Sequence, residues 1–428
     1  MAQRRARRAF GKVAQKGKRF YVEYTGPDGK RHTPGKSFPT RTDADGWLAA
    51  QKRSIDLDTW QPPAQRAAQA ETTALTVGQW LDQFQQHLET RNNPLKPSTA
   101  QNYRRVTRVR ITAPISPGDT DPDITRLADI RLVDLTKTDV YKWHDAAQRN
   151  YPEGRTITHQ AYKRLKAALA EAVRRELIPT NPAEIPEAAK RPRTGEKYLP
   201  SDQEIAAIIT AMPDRYRLLA VLTLHHGLRL GEALALETKH VTVEPTPAPL
   251  MPRVTVTVEQ NAQRIAANGN ERTHMVIQPP KTRAGHRTIQ IMPTDVPHVL
   301  NHLANHLHHT ATTVNVYGGD NAPRKERGKV VEKRKHLLTT TRTGEIMLDT
   351  SYRSILTRAE ERAGVTTEID PHCGRNWLIT RLAEQGAHLR EIGALLGQTD
   401  VETILNVYMK ARPERTQNLM ALVNDSLE

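Results

Sequence analysis

The chain has 428 residues, and 63 Lys and Arg against 47 Asp and Glu leave a formal charge of +16. That excess implies an anionic partner, and nucleic acid is the usual one. A single cysteine excludes a disulfide framework and a multi-cysteine zinc site. No run approaches the ~18 apolar residues of a membrane span, and the basic start MAQRRARRAF lacks the apolar run of a secretory signal.

Residues 1–60 hold 14 Lys/Arg and 6 Asp/Glu, half of the net excess. Within them RFYVEY (19–24) alternates as a strand does. TGPDGKRHT supplies turn chemistry around Pro27, Asp28 and Gly29. KSFPT reads as a further short strand, and TRTDADGWLAAQKRSI as a helix with Thr42 at its N-cap. Three short strands and one helix make a small basic α+β module. Residues 61–74 carry no apolar side chain larger than alanine and read as a linker.

Residues 75–185 read as all-helical. Val77, Trp80, Leu81, Phe84 and Leu88 recur at helical spacing. Pro97 and Ser98 open a helix whose Arg104, Arg105, Arg108 and Arg110 have no acidic neighbour in sequence. TAPISPGDTDPD reads as a loop, Thr136 starts another helix, and a last one carries Ile157, Ala161, Leu165, Leu169 and Val173. It ends near Pro179 and Pro182. Residues 186–200 are charged and proline-containing, a second linker.

From Ser201 a mixed domain runs to residue 428. The helix RYRLLAVLTLHH breaks at Gly227, and RVTVTVEQ, HMVIQ and RTIQIM read as strands. Residues 323–335, with seven basic and two acidic side chains, read as a mobile loop. From about residue 413 a tail helix is opened by Pro413, with an apolar stripe of Leu419, Met420, Val423 and Leu427.

Four segments of this last domain belong together. HHGLRLGEALAL sets Arg229 at a helix-to-helix corner, and PPKTRAGHRTIQI sets Lys281 at a turn between strands. DPHCGRNW spaces His372 and Arg375 one helical turn apart. LLGQTDVETILNVYMK places Gln398 after LLG and ends at Tyr408.

In these motifs the sequence resembles the tyrosine recombinase (phage integrase) family, over roughly residues 200–412 and more loosely upstream. The family signature is a GLR-corner arginine, a hairpin lysine, a His-x-x-Arg pair, a His or Trp after LLG, and a nucleophilic tyrosine. Arg229, Lys281, His372, Arg375 and Tyr408 match it in order. The resemblance implies a multidomain fold: the basic α+β module, an all-α core-binding (SAM-like) domain and a mainly-α catalytic domain with a small antiparallel sheet. The two larger domains would clamp DNA.

The implied activity is site-specific recombination, integrating or excising a mobile element. It needs neither ATP nor metal, and no cofactor. Tyr408 would form a 3′-phosphotyrosine, conserving the phosphodiester energy for resealing. Arg229 and Arg375 would fork onto the charged equatorial oxygens of the transition state. Lys281 would protonate the leaving 5′ oxygen, and His372 would accept or orient the tyrosine proton. Glu232 would orient Arg229. Arg104, Arg105 and Arg108, with Arg19, Tyr21, Lys30 and Arg31 of the first module, would contact DNA. The implied partners are double-stranded attachment sites, three further copies in a tetramer, and an accessory directionality factor, in the cytoplasm or nucleoid of a bacterial cell.

Gln398 departs from the family pattern. Its amide donates a hydrogen bond but cannot act as an acid. Gly374 and Asn376 also replace the common Leu and second His of the His-x-x-Arg motif. Two other readings follow: a DNA-binding regulator that keeps the fold with weak or no catalysis, favoured by Gln398, and a type IB topoisomerase-like enzyme. Cys373 beside His372 points elsewhere on a helix, which argues against a Cys–His nucleophile. His302 and His306, at i and i+4, read as part of an exposed histidine-rich helix rather than a metal site.

Overall fold

In the computed structural model the described residues are 10–66, 74–114, 121–192, 198–265, 272–280, 282–319 and 322–398, with 402, 404, 405, 407 and 424 beyond. The chain divides into two compact units, residues 1–95 with 102–193, and residues 96–101 with 194–428.

In the first unit, strands β1 (Lys12–Lys16), β2 (Arg19–Thr25) and β3 (Arg31–His32) form an antiparallel sheet. Helix α1 (Arg41–Asp56) packs on it. Alternation along β2 turns Val22 and Tyr24 into a core shared with Phe38, Ala44 and Leu48. Two details differ from the sequence reading. The N-cap of α1 is Thr40, whose hydroxyl accepts from the Asp43 amide at 3.1 Å, and Thr42 lies inside the first turn. KSFPT contributes only a single bridge, Phe38 to Phe20, because Pro39 has no N–H to continue a ladder.

The remaining helices of this unit are α2 (Val77–Thr90), α3 (Pro97–Thr107, its residues from 102 on in this unit, continuing as a π-helical turn Arg108–Thr112), α4 (Pro122–Asp129), α5 (Lys137–Asn150), α6 (Arg155–Arg174) and α7 (Pro186–Ala189). Reciprocal capping boxes, Thr76 with Gln79 and Thr136 with Asp139, start α2 and α5. Val77, Trp80, Leu81 and Phe84 meet Ala161, Leu165 and Leu169 in one core. The buried indoles are satisfied: Trp80 donates to the Ala168 carbonyl and Trp143 to the Arg110 carbonyl, both at 2.8 Å. Helix α4 occupies part of the stretch read as a loop, with Asp121 as cap and Pro122 at the first helical position. Residues 186–189, read as linker, form a helical turn that buries Ala188 in this core.

The second unit begins with α8 (Asp202–Ala211), capped by Ser201 and Glu204. Helix α9 (Asp214–Ala220) runs into a π-helical turn, Val221–His225, and stops at Gly227 in the left-handed region, φ 62°. A short α10 (Leu230–Leu234) follows. Two sheets are present among the described residues. One orders β4 (Val241–Glu244), β5 (Arg253–Val258) and β8 (Arg287–Gln290), all antiparallel. The other orders β10 (Val330–Lys335), β9 (Thr312–Tyr317), β7 (His274–Gln278) and β6 (Asn261–Ile265), with β7 and β9 parallel.

Three expectations change here. Residues 330–335, read as mobile loop, pair residue by residue with β9, from Val330 opposite Tyr317 to Lys335 opposite Thr312. The strands flanking Lys281, β7 and β8, lie in different sheets, so they are not the two arms of one hairpin. In α11 (Val296–Asn305) His302 is buried, not exposed, and hydrogen-bonds the Leu338 carbonyl at 2.8 Å. Burial pushes its pKa down to about 4, so the ring is neutral at pH 7. Among the described residues no group of three or more His, Cys, Asp or Glu is placed to hold a metal ion, and no helix is long and apolar enough to cross a membrane. Helices α12 (Asp349–Arg362), α13 (Cys373–Glu384) and α14 (Leu389–Leu396) complete the unit.

Candidate active site

The site is assembled where α9, α13 and α14 end or begin. The π-helical turn at the end of α9 packs against α13. This approach requires Gly374: a Cβ there would stand inside van der Waals contact of the Leu224 backbone and the Thr223 carbonyl. The glycine that departs from the family's leucine is thus a packing requirement of this chain.

Helix α13 starts at His372, whose backbone amide donates to Asp370 Oδ1 at 2.8 Å and whose side chain is exposed. One turn on, Arg375 is buried, 2% exposed. Its Nη1 donates to the Gly227 carbonyl at 3.1 Å and its Nη2 to the Leu396 carbonyl at 2.6 Å. Nε and Nη2 both donate to Gln398 Oε1, at 3.3 and 3.0 Å. Among the described residues one of the five guanidinium N–H groups, on Nη1, has no acceptor. Burial, then the neighbouring Arg229 charge, pull the Arg375 pKa down to about 9, so it remains a cation at neutral pH.

Arg229 follows Gly227 and Leu228 at the start of α10. It is more open, with its side chain 40% exposed. Its Nη1 donates to Glu232 Oε1 at 2.8 Å, and its backbone amide to Glu232 Oε2 at 3.1 Å. Glu232 therefore holds the corner from both ends. Its carboxylate, 4% exposed, is shared with Arg287 of β8, whose Nη2 donates to Oε2 at 2.8 Å. Burial opposes ionisation of Glu232, but the hydrogen bond and charge of Arg287, then Arg229, hold its pKa below the usual carboxylate range. Sequence reasoning missed Arg287. Its only sequence signal is an arginine opening a strand six residues after Lys281.

A second hydrogen-bonded cluster lies on the residues immediately before Gly227. His225 Nδ1 and His226 Nε2 each lie 3.0 Å from Asp295 Oδ2, and the Asp295 pKa is far below normal because these hydrogen bonds outweigh its burial. His225 also stacks on Trp377, centroids 5.4 Å apart, and Trp377 donates to Asp202 at 2.7 Å.

The structure thus brings together two hydrogen-bonded pairs, Arg229 with Glu232 and Arg375 with Gln398, the second tied to the corner through the Gly227 carbonyl, and sets His372 at the head of the helix bearing Arg375. Lys281 and Tyr408 lie outside the described residues, as does the tail helix expected from about 413. Ile404, which precedes Tyr408 in sequence, is fully buried with Leu378, Ile379 and Leu396, and Val407 packs on the same cluster. Cys373 is buried.

The expected DNA contacts sort differently. Arg19 and Tyr21 alternate outward on β2 and line a surface groove with Lys12, Thr33, Lys36 and Ser37. Tyr21 is 46% exposed, and Arg19 donates to the Ser37 carbonyl at 2.8 Å. Lys30 and Arg31, exposed at the β2–β3 turn, do not line that groove. On α3 and its extension, Arg104, Arg105 and Arg108 are exposed. Arg104 pairs with Glu89, an acidic neighbour from α2 that the sequence does not reveal, and Arg105 bonds Asn102 at 3.3 Å. Arg110 is buried, its guanidinium 3.6 Å from the Tyr151 ring centroid, and is part of the bundle rather than a surface contact.

Residues 284–415 match the phage integrase family, and residues 9–57 match the phage integrase N-terminal domain. The chain is 25% identical over 420 residues to the integrase of Mycobacterium phage L5, covering 97% of this chain and 98% of that one. It is 29% identical over 226 residues to a tyrosine recombinase XerC-like protein of Caldanaerobacter subterraneus, 53% of each chain. Its fold is similar to that of the Tn1549 transposon integrase solved in complex with transposon right end DNA: TM-score 0.58, 18% identity, 81% of this chain and 100% of that one.

A cluster of arginines braced by one buried carboxylate, taken with these matches, defines a DNA strand-transfer enzyme of the recombinase class. The chain belongs to the tyrosine recombinase (phage integrase) family, and it is a site-specific recombinase of the integrase type.

Proposed function

We propose that this chain cuts and rejoins double-stranded DNA at attachment sites through a 3′-phosphotyrosine at Tyr408. The observation that carries the reading is that two hydrogen-bonded pairs from three separate motifs, Arg229 with Glu232 and Arg375 with Gln398, meet at one corner, where Arg375 donates to the Gly227 carbonyl two residues before Arg229. Arg229, the more exposed arginine, offers Nε and Nη2 to the scissile phosphate, and Arg375 offers its remaining Nη1 donor. The Tyr408 oxygen attacks phosphorus while His372 takes up or orients its proton. The P–O5′ bond breaks, and the leaving oxygen receives a proton from Lys281. The reverse attack by a 5′ hydroxyl reseals the strand, so no net bond energy is consumed. Charge on the pentacoordinate phosphorus is balanced by cationic side chains fixed in advance.

Exchange of two duplexes requires four strand cleavages with one tyrosine per chain, which supports a tetramer on DNA. The basic groove of the N-terminal sheet and the exposed Arg104, Arg105 and Arg108 suit phosphate contacts outside the reacting centre. The solved complex of the Tn1549 transposon integrase with its right end DNA supports a DNA partner. A relative from a mycobacterial phage supports a bacterial, DNA-associated setting.

The test is a nicked suicide duplex carrying the attachment site. A covalent protein–DNA adduct that Tyr408→Phe abolishes supports the proposal. DNA binding with no adduct favours the regulator, and relaxation of plasmids lacking the site favours the topoisomerase-like enzyme.

A further inference from the structure

Arg287 touches three segments that each carry part of the site. Its Nη2 reaches Glu232, which holds Arg229. Its Nε donates at 2.9 Å to the Leu395 carbonyl, three residues before Gln398. Its Nη1 donates at 3.3 Å to the Gly285 carbonyl, four residues after Lys281. The side chain is 5% exposed, so these contacts are made out of water. The Leu395 carbonyl is one of the orphan acceptors at the end of α14, and the guanidinium supplies its donor. The next turn fits tightly over it: Gly397 is left-handed, φ 62°, and a Cβ there would come within 2.9 Å of Arg287 Nη1 and 2.7 Å of the Ala284 carbonyl.

The carboxylate between the two arginines is divided. Oε1 of Glu232 serves Arg229, and Oε2 serves Arg287 and the Arg229 amide. With Arg287 present, a buried negative charge is balanced before Arg229 is counted. With Arg287 removed, the whole charge falls on Arg229, which is then drawn toward Glu232 and away from an incoming phosphate.

We propose that Arg287 is a positioning residue for strand cleavage: it shares the Glu232 carboxylate so that Arg229 stays available to phosphate, and it ties the turn leading to Gln398 to the strand that follows Lys281. This rests on Arg229 being a phosphate ligand as proposed above. A single planar fork serves all three acceptors, which a lysine ammonium cannot reproduce.

The experiment is single-turnover cleavage of the nicked suicide duplex at saturating protein. It is run beside the Kd for the same duplex and thermal melting, for the parent, Arg287→Met, Arg287→Lys and the double variant Arg287→Met with Glu232→Gln. Arg287→Met should cut roughly 10- to 100-fold more slowly with Kd changed less than about threefold, because the loss falls on the transition state rather than on binding. The double variant should recover about tenfold of that rate, since the unbalanced charge is gone. Arg287→Lys, which keeps the charge and guards against misfolding, should melt near the parent yet cut about tenfold more slowly, for want of the fork.

Parental rates in Arg287→Lys, or no recovery in the double variant despite parental melting, would overturn the assignment. A rate loss that follows the melting temperature across all variants would reduce Arg287 to a structural ion pair and equally overturn it. If the parent forms no adduct, the strand-transfer reading itself fails, an outcome separate from these.

Discussion

The carboxamide oxygen of Gln398 accepts two hydrogen bonds from Arg375, from Nε at 3.3 Å and Nη2 at 3.0 Å. A guanidinium only donates, so the oxygen is the end of the amide that must face it. That leaves the NH₂ end as the donor, which in the proposed mechanism stands in for the histidine or tryptophan usual in the family at this position. Gln398→Glu keeps the acceptor for Arg375 but loses the donor. Its cleavage rate should fall on the order of 100-fold, as for loss of one oxyanion-stabilising donor. Gln398→His, which restores an N–H donor, should remain within about tenfold of the parent. Single-turnover adduct formation on denaturing gels measures both.

Gly374 makes a prediction opposite to family resemblance. Leucine is common at this position in the family, yet here the Leu224 backbone occupies the space of its Cβ. Gly374→Leu should force α13 off the π-helical turn and cost roughly 1–3 kcal/mol or more by overpacking. It should also move Arg375 away from the Gly227 carbonyl. Denaturant melts and adduct formation should both fall, and a fully active, fully stable Gly374→Leu would refute this packing.

Glu360 gives a pH dependence with a defined sign. It is 4% exposed, and its Oε1 has no hydrogen-bond partner among the described residues. Burial, assisted by the charges of Glu368 and Glu361, pushes its pKa up from 4.5 to about 7. Because the folded state holds this proton more tightly than the unfolded chain, its contribution is fully favourable below pH 4.5. It is lost progressively as pH rises to about 7. Glu360→Gln should therefore change the melting temperature little at pH 5 and raise it at pH 8. The difference is worth on the order of 2 kcal/mol. Paired thermal melts at the two pH values decide it.

The exposed arginines of α3 and its extension predict a salt signature. Arg105→Ala or Arg108→Ala should each reduce the slope of log Kd against log salt by about 0.9 and weaken binding similarly on all sequences. Arg104→Ala should do less, because Glu89 already neutralises that side chain. Fluorescence anisotropy across a salt series measures the slopes.

What could be read from the sequence was local, and what could not be read was tertiary. The GLR corner, the His372-to-Arg375 spacing and the LLGQ turn are short-range patterns, and each lies on the element its pattern suggests. Arg287 escaped notice because its role exists only where β8, α10 and α14 meet. The same holds for Arg104, whose partner Glu89 sits on another helix, and for His302, whose ring reaches the Leu338 carbonyl. Residues 330–335 read as a loop because an edge strand tolerates, and is protected by, the very lysines and arginines that mask its alternation. Thr40 rather than Thr42 caps α1 because the cap is decided by backbone geometry, and both threonines fit the sequence signal.

The most direct measurement is to digest the protein after reaction with a nicked suicide duplex and locate the DNA-linked peptide by mass spectrometry. The expected result is a nucleotide joined through its 3′ phosphate to Tyr408, in a reaction that proceeds with chelator present and without ATP. A linkage at any other residue, or cleaved DNA ends free of protein, would contradict the proposed mechanism.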